Sequence, residues 1–129
     1  MKIAVTASSD NGFKAEVNQR LGRAPYFAIV DVNDGDKMEK KDIKFIENDG
    51  VNAASGAGVR AAQIIADNGV EVVISGNIGP KAFSGLKAAG VKIYSVDSGT
   101  IEEAIKKYSQ DNADELNDPT NNGHVGFKG

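Results

Sequence analysis

The feature that most constrains this chain is a strand–turn–helix unit that occurs twice. Gly69-Val70 and Gly90-Val91, 21 residues apart, each open a short β-branched run, then a glycine-containing turn, then a stretch of helical period. Two such units are too few and too short for a solenoid. They read as successive strand–helix units of one parallel sheet, whose right-handed crossovers put helices on the sheet faces. Residues 71–75 and 92–96 are the expected strands. Pro80 suits the first position of the intervening helix, Ala82, Phe83, Leu86 and Ala89 give it an apolar side, and Gly90 stops it.

The same logic extends in both directions. A helix is expected over residues 57–68, with Arg60, Gln63 and Asp67 as its polar stripe and Val59, Ala62, Ile65 and Ala66 among its apolar positions. Asn68-Gly69 is its stop signal. Thr100 and Glu103 have the spacing of a capping box. Ile101, Ala104, Ile105 and Tyr108 then recur at helical spacing. Toward the N-terminus, residues 2–7 form an unbroken apolar run, as for a strand buried on both faces. A long polar stretch, 8–23, precedes a second strand over 26–32. Asn33-Asp34-Gly35-Asp36 signals a hairpin. The returning strand, 37–47, is lysine-rich, as edge strands often are.

These elements predict a three-layer α/β fold: a five-stranded mixed sheet with three helices and strand order 3-2-1-4-5, a ribonuclease-H-like topology. One domain is expected over residues 1–110. The stretch 111–129 is poor in core-forming residues and reads as a flexible C-terminal tail.

Composition narrows the function. The 129 residues include no cysteine, which removes disulfides and all-thiolate metal sites. With 15 basic and 18 acidic residues the net charge is −3, which gives no general attraction to nucleic acid. No apolar run approaches the roughly 20 residues of a membrane span, and the N-terminal apolar run is too short for a signal peptide. A cytoplasmic protein with no nucleic-acid or membrane partner is expected.

In open α/β sheets ligands gather beyond the carboxyl ends of strands where connections diverge, here between strands one and four. Strand one delivers Ser8, Ser9, Asp10, Asn11 and Gly12 to that point, and strand four delivers Gly76, Asn77 and Gly79. The latter turn opens a helix, where free amides and the helix dipole favour anions. The same glycines also suit an ordinary tight turn. Ser55, Gly56 and Gly58 open another helix. Their likeness to a dinucleotide fingerprint is weak, because a polar loop separates them from the preceding strand. Arg23 and Arg20 flank Gly22 and would pair with a nearby anion. Asp10, Asp31, Asp34 and Asp97 do not converge in sequence as a two-metal nuclease would need. His124, the one imidazole, lies in the expected tail.

The segments MKIAVTASSDNG, NQRLGRAPYFAIVDV, GAGVRAAQIIADNGVEVVISGNIGPKAF and GVKIYSVDSGTIEEAI, in this order and spacing, resemble the dinitrogenase iron–molybdenum cofactor biosynthesis family over about residues 1–116. That group includes NifX-type carriers and the C-terminal domain of NifB. The resemblance implies a ribonuclease-H-like fold without nuclease activity. It implies a carrier, not an enzyme, for an iron–molybdenum–sulfur cluster or its precursor, with a cofactor-synthesis or acceptor protein as partner, as a monomer or weak homodimer. It carries a pocket onto residues 8–12, 20–23, 55–58, 76–80 and 97–99, but no metal ligand. Lacking cysteine, the chain would hold the cluster through backbone amides, Arg, Asn and Ser, or through His124. A small phosphate- or nucleotide-binding module is the alternative.

Overall fold

Strand β1 (Lys2–Ala7) has no face left for water: Ile3 through Ala7 are all buried. It accordingly lies inside the sheet, antiparallel to β2 (Tyr26–Asp31) on one side and parallel to β4 (Val72–Ser75) on the other. The computed structural model describes residues 1–32 and 43–119. Strand β3 (Ile43–Glu47) pairs with β2, β5 (Lys92–Ser95) pairs with β4, and β6 (Asp114–Glu115) pairs antiparallel with β5. The order is β3-β2-β1-β4-β5-β6. It contains the expected 3-2-1-4-5, but the sheet has six strands, not five.

The sixth strand comes from the stretch expected to be a tail. Leu116 donates its N–H to the Ile93 carbonyl at 2.8 Å and packs against the core, which ties residues 114–116 to the sheet. The expected hairpin at 33–36, the first part of the returning strand (37–42) and His124 lie outside the described residues.

Side chains of the sheet alternate between two apolar clusters, as the period of a strand requires. Ala4, Phe27, Ile29, Val73 and Ile93 face α1 (Ala57–Asp67) and α2 (Pro80–Ala88). Ile3, Val5, Ala28, Val30, Val72 and Ile74 face α3 (Ile101–Ser109) and the short 3-10 turn Gly12–Lys14. Two helices thus cover one face and one helix the other. The buried side of α1 is Ala57, Ala61, Ala62, Ile64 and Ile65. Val59, expected among its apolar positions, is 51% exposed, because it lies on the side of the helix opposite that buried stripe.

Candidate functional site

Segment 18–21 runs across the carboxyl ends of β1 and β4, where a ligand was expected to enter. Asn18 N–H donates to the Thr6 carbonyl at 2.8 Å, and Asn77 N–H donates to the Gln19 carbonyl at 2.7 Å. Leu21 N–H donates to the Asn77 carbonyl at 3.2 Å, and Arg20 and Asn77 form a parallel bridge. Underneath, the fully buried Thr6 hydroxyl donates to the Asn18 carbonyl at 2.8 Å and lies 3.1 Å from Ser75 Oγ. Gly76 is needed here for close packing: a Cβ on it would stand 2.7 Å from Gln19 Cα. Protein fills the switch point itself.

The open space lies to one side, as a cleft of about 380 Å³. That is within the range of small-molecule sites. One wall is Arg20, Leu21, Gly22 and Arg23, and the opposite side is built from the starts of α1 and α2. The floor is tight because it is made of small residues. A Cβ on Gly22 would come within 3.1 Å of Gly58 N, and one on Gly58 within 3.3 Å of Ala82 Cβ. Deeper between the helices, a Cβ on Gly85 would meet Ala62 Cβ at 3.1 Å. Only glycine and alanine let α1, α2 and the arginine segment approach this closely.

Both helices begin at the cleft without a capping side chain. Gly56 precedes α1 with φ +80°, and Gly79 precedes α2, which starts on Pro80. Neither has an acidic residue in its first turn. The first amides of a helix have no acceptor within it, and the dipole adds partial positive charge there. Helix α3, on the other face, is finished differently. Glu103 N–H donates to Thr100 Oγ1 at 3.2 Å, and Thr100 N–H donates to Glu103 Oε1 at 2.9 Å, the expected capping box. The cleft therefore gathers two incomplete helix starts together with the cations Arg20, Arg23 and Lys81.

These cations are held in different ways. Arg20 and Lys81 are exposed, whereas Arg23 is half-buried. Its Nη1 donates to the carbonyls of Val51 and Ala53, both at 2.9 Å. Arg60 is not part of the cleft lining; its Nε donates to Asp49 at 2.7 Å. That hydrogen bond holds the Asp49 carboxyl below its usual range and raises the guanidinium of Arg60.

Of the residues singled out in the sequence, Arg20, Gly22, Arg23, Gly58, Asn77 and Gly79 line the cleft, together with Leu21, Ala57 and Pro80 from the same segments. Gly76 lies buried beneath Gln19. Ser55 and Gly56 are exposed just ahead of α1, where Gly56 is the N-cap, and do not line it. Ser8, Ser9, Asp10, Asn11 and Gly12 are not in the lining either. Ser8 is tied to the descending chain, its N–H donating to the Glu16 carbonyl at 2.9 Å and its Oγ accepting from Asn18 Nδ2 at 3.1 Å. Gly12 opens the 3-10 turn that carries Phe13 into the cluster on the α3 side. Lys81 was missed. Its signal was a cation in the first turn of a Pro80-initiated helix, where the dipole disfavours positive charge unless an anion offsets it. Among the described residues no group of three or more His, Cys, Asp or Glu side chains could hold a metal ion, and no helix is long and apolar enough to cross a membrane.

Residues 1–111 match the family described as dinitrogenase iron-molybdenum cofactor. The chain belongs to this family. Among its relatives, an uncharacterized protein of Methanocaldococcus jannaschii is 35% identical over 108 residues, 84% of this chain and 85% of the other. The apo form of the orange protein from Desulfovibrio gigas superposes with a TM-score of 0.80 at 32% identity, over 92% of this chain and 94% of that one. A candidate NifB protein of Thermotoga, of the DUF35 family, superposes with a TM-score of 0.74 at 35% identity, over 89% and 92% of the two chains. In this member of the iron-molybdenum cofactor family the uncapped helix starts and the arginine segment share one cleft.

Proposed function

We propose that the protein is a carrier that binds an anionic metal–sulfur cluster, of the iron–molybdenum–sulfur type or a precursor of it, in the cleft between the α1 and α2 starts. The observation that carries this reading is the convergence of two uncapped helix N-termini with Arg20, Arg23 and Lys81 on one open cavity. Preplaced amides and guanidinium groups hold an anion through its outer atoms, so the absence of cysteine from the chain is no obstacle. The cluster would keep its own sulfide ligands and take no bond to metal from the protein. A carrier role, not catalysis, belongs to this reading: the charged side chains of the lining, Arg20, Arg23 and Lys81, are all cations suited to holding an anion. Cytoplasmic residence, a monomer or weak homodimer, transfer to a cofactor-synthesis or acceptor protein, and a ribonuclease-H-like topology of the sheet belong to the same reading.

The test is a map of amide chemical shifts on anaerobic addition of tetrathiomolybdate or an iron–molybdenum–sulfur cluster. The expected shifts fall on Gly22, Ala57, Gly58, Gly79, Lys81 and Ala82. Shifts centred on residues 8–12, or none at all, would remove the site. Phosphate is bound at helix N-termini through the same amides, which favours a phosphate- or nucleotide-binding module as the second reading. A nucleotide titration that moves these amides when the sulfur clusters do not would decide for it.

A further inference from the structure

We propose that Arg23 is a positioning residue that couples the loop over residues 48–53 to anion capture in the cleft. The inference rests on the carrier reading above and assigns its mechanical part. Two segments are laced together in both directions. From one side, Arg23 Nη1 donates to the carbonyls of Val51 and Ala53. From the other, the buried Asn48 donates through Nδ2 to the carbonyls of Gly22, at 3.1 Å, and Ala24, at 2.8 Å, the residues on either side of Arg23. The loop closes on itself as well: Gly50 N–H donates to Asn48 Oδ1 at 3.1 Å, Val51 N–H to the Asn48 carbonyl at 3.2 Å, and Ala53 N–H to the Gly50 carbonyl at 3.0 Å.

A guanidinium is planar, so fixing one terminal nitrogen on two carbonyls fixes the direction of its other donors. Arg23 lines the cleft while its Nη1 is anchored outside it. The loop therefore aims the charge that meets the ligand. An anion that takes the remaining donors restrains the guanidinium further, and through it the Val51 and Ala53 carbonyls. Arg20 and Lys81, which are exposed, supply charge without this coupling. Lysine at position 23 would keep the charge and lose the plane, so charge and positioning can be separated.

The experiment follows tetrathiomolybdate affinity and backbone hydrogen exchange together, in wild type, Arg23→Lys and Arg20→Lys. In wild type the anion should slow exchange at the amides of Val51 and Ala53, neither of which lines the cleft. Arg23→Lys should lose that response and weaken binding on the order of tenfold, the loss of one charge-assisted hydrogen bond. Arg20→Lys should keep the response. Wild-type protein that binds tetrathiomolybdate while the two loop amides stay indifferent overturns the coupling alone. So does Arg23→Lys that binds as tightly as wild type. Wild-type protein that binds no tetrathiomolybdate overturns the carrier reading and the coupling with it. The wild-type arm needs no variant, so it decides even where Arg23→Lys lowers stability.

Discussion

Gly76 and Gly79 lie in one turn and answer to different demands. A methyl group on Gly76 would press into the backbone and side chain of Gln19, which is itself hydrogen-bonded into the turn. Gly76→Ala should therefore destabilise the fold by about 1–3 kcal/mol, the usual cost of overpacking, read as a lowered midpoint in urea. Gly79 has φ −75° and nothing within 4 Å of an added Cβ. Gly79→Ala should cost at most about 1 kcal/mol, as at other helix N-caps, yet weaken tetrathiomolybdate binding by crowding the cleft. A binding loss confined to Gly76→Ala would reverse these assignments. In the sequence the two glycines look alike. Telling them apart takes the position of Gln19, which arrives from a loop 57 residues earlier.

At the scale of elements, the C-terminal edge carries two expectations. Leu116 packs on the cluster beneath α1 and α2, and β6 pairs with β5. Ending the chain after Gln110 should lower the melting temperature by several degrees, since even one half-buried leucine contributes on the order of 1 kcal/mol. An unchanged melting temperature would show that the strand adds nothing. The second expectation concerns Tyr94 and Tyr108, whose rings meet edge to face at 5.0 Å. Burial pushes both phenols up, and the carboxylates of Glu115 and Asp111 add to it. Their folded-state values exceed the ordinary value of about 10. Below that value folded and unfolded chains are both protonated and stability does not depend on these groups. Above it the unfolded chain ionises first, so stability falls as pH rises through the folded-state values. Thermal melts from about pH 9 upward should show that fall, and Tyr108→Phe should lessen it. The strands from β1 to β5 and the three helices were legible because their apolar residues repeat at the period of the element or, as in β1 and β4, run unbroken where both faces are buried. The strand β6 was not: its two residues are both acidic and exposed, and an edge pair of that length leaves no alternation to read.

For the molecule as a whole, two apolar clusters close the sheet on both faces. Exhaustive chelation should leave the circular dichroism and the melting curve unchanged, unlike a domain whose metal is part of its core. The candidate site was half legible for a topological reason. The loops named as candidate site segments all lie at the same edge of the sheet, but α1 and α2 cover one face and α3 the other. The 8–12 loop turns toward α3, and only the loops on the α1–α2 face reach the cleft. Which face a loop joins is fixed by the helix that follows and by segment 18–21, not by the composition of the loop.

The contrast between α3, which closes its own N-terminus, and α1 and α2, which do not, reaches beyond binding. An anion seated between the two open starts would cap both, and anything that binds only the folded chain stabilises it. At a hundredfold excess over Kd the gain is about 2.7 kcal/mol. The loaded protein should then melt higher and resist protease longer than the empty one. In a cell that clears unfolded chains, the abundance of this protein would follow the supply of its cargo, with no regulator beyond the two helix ends.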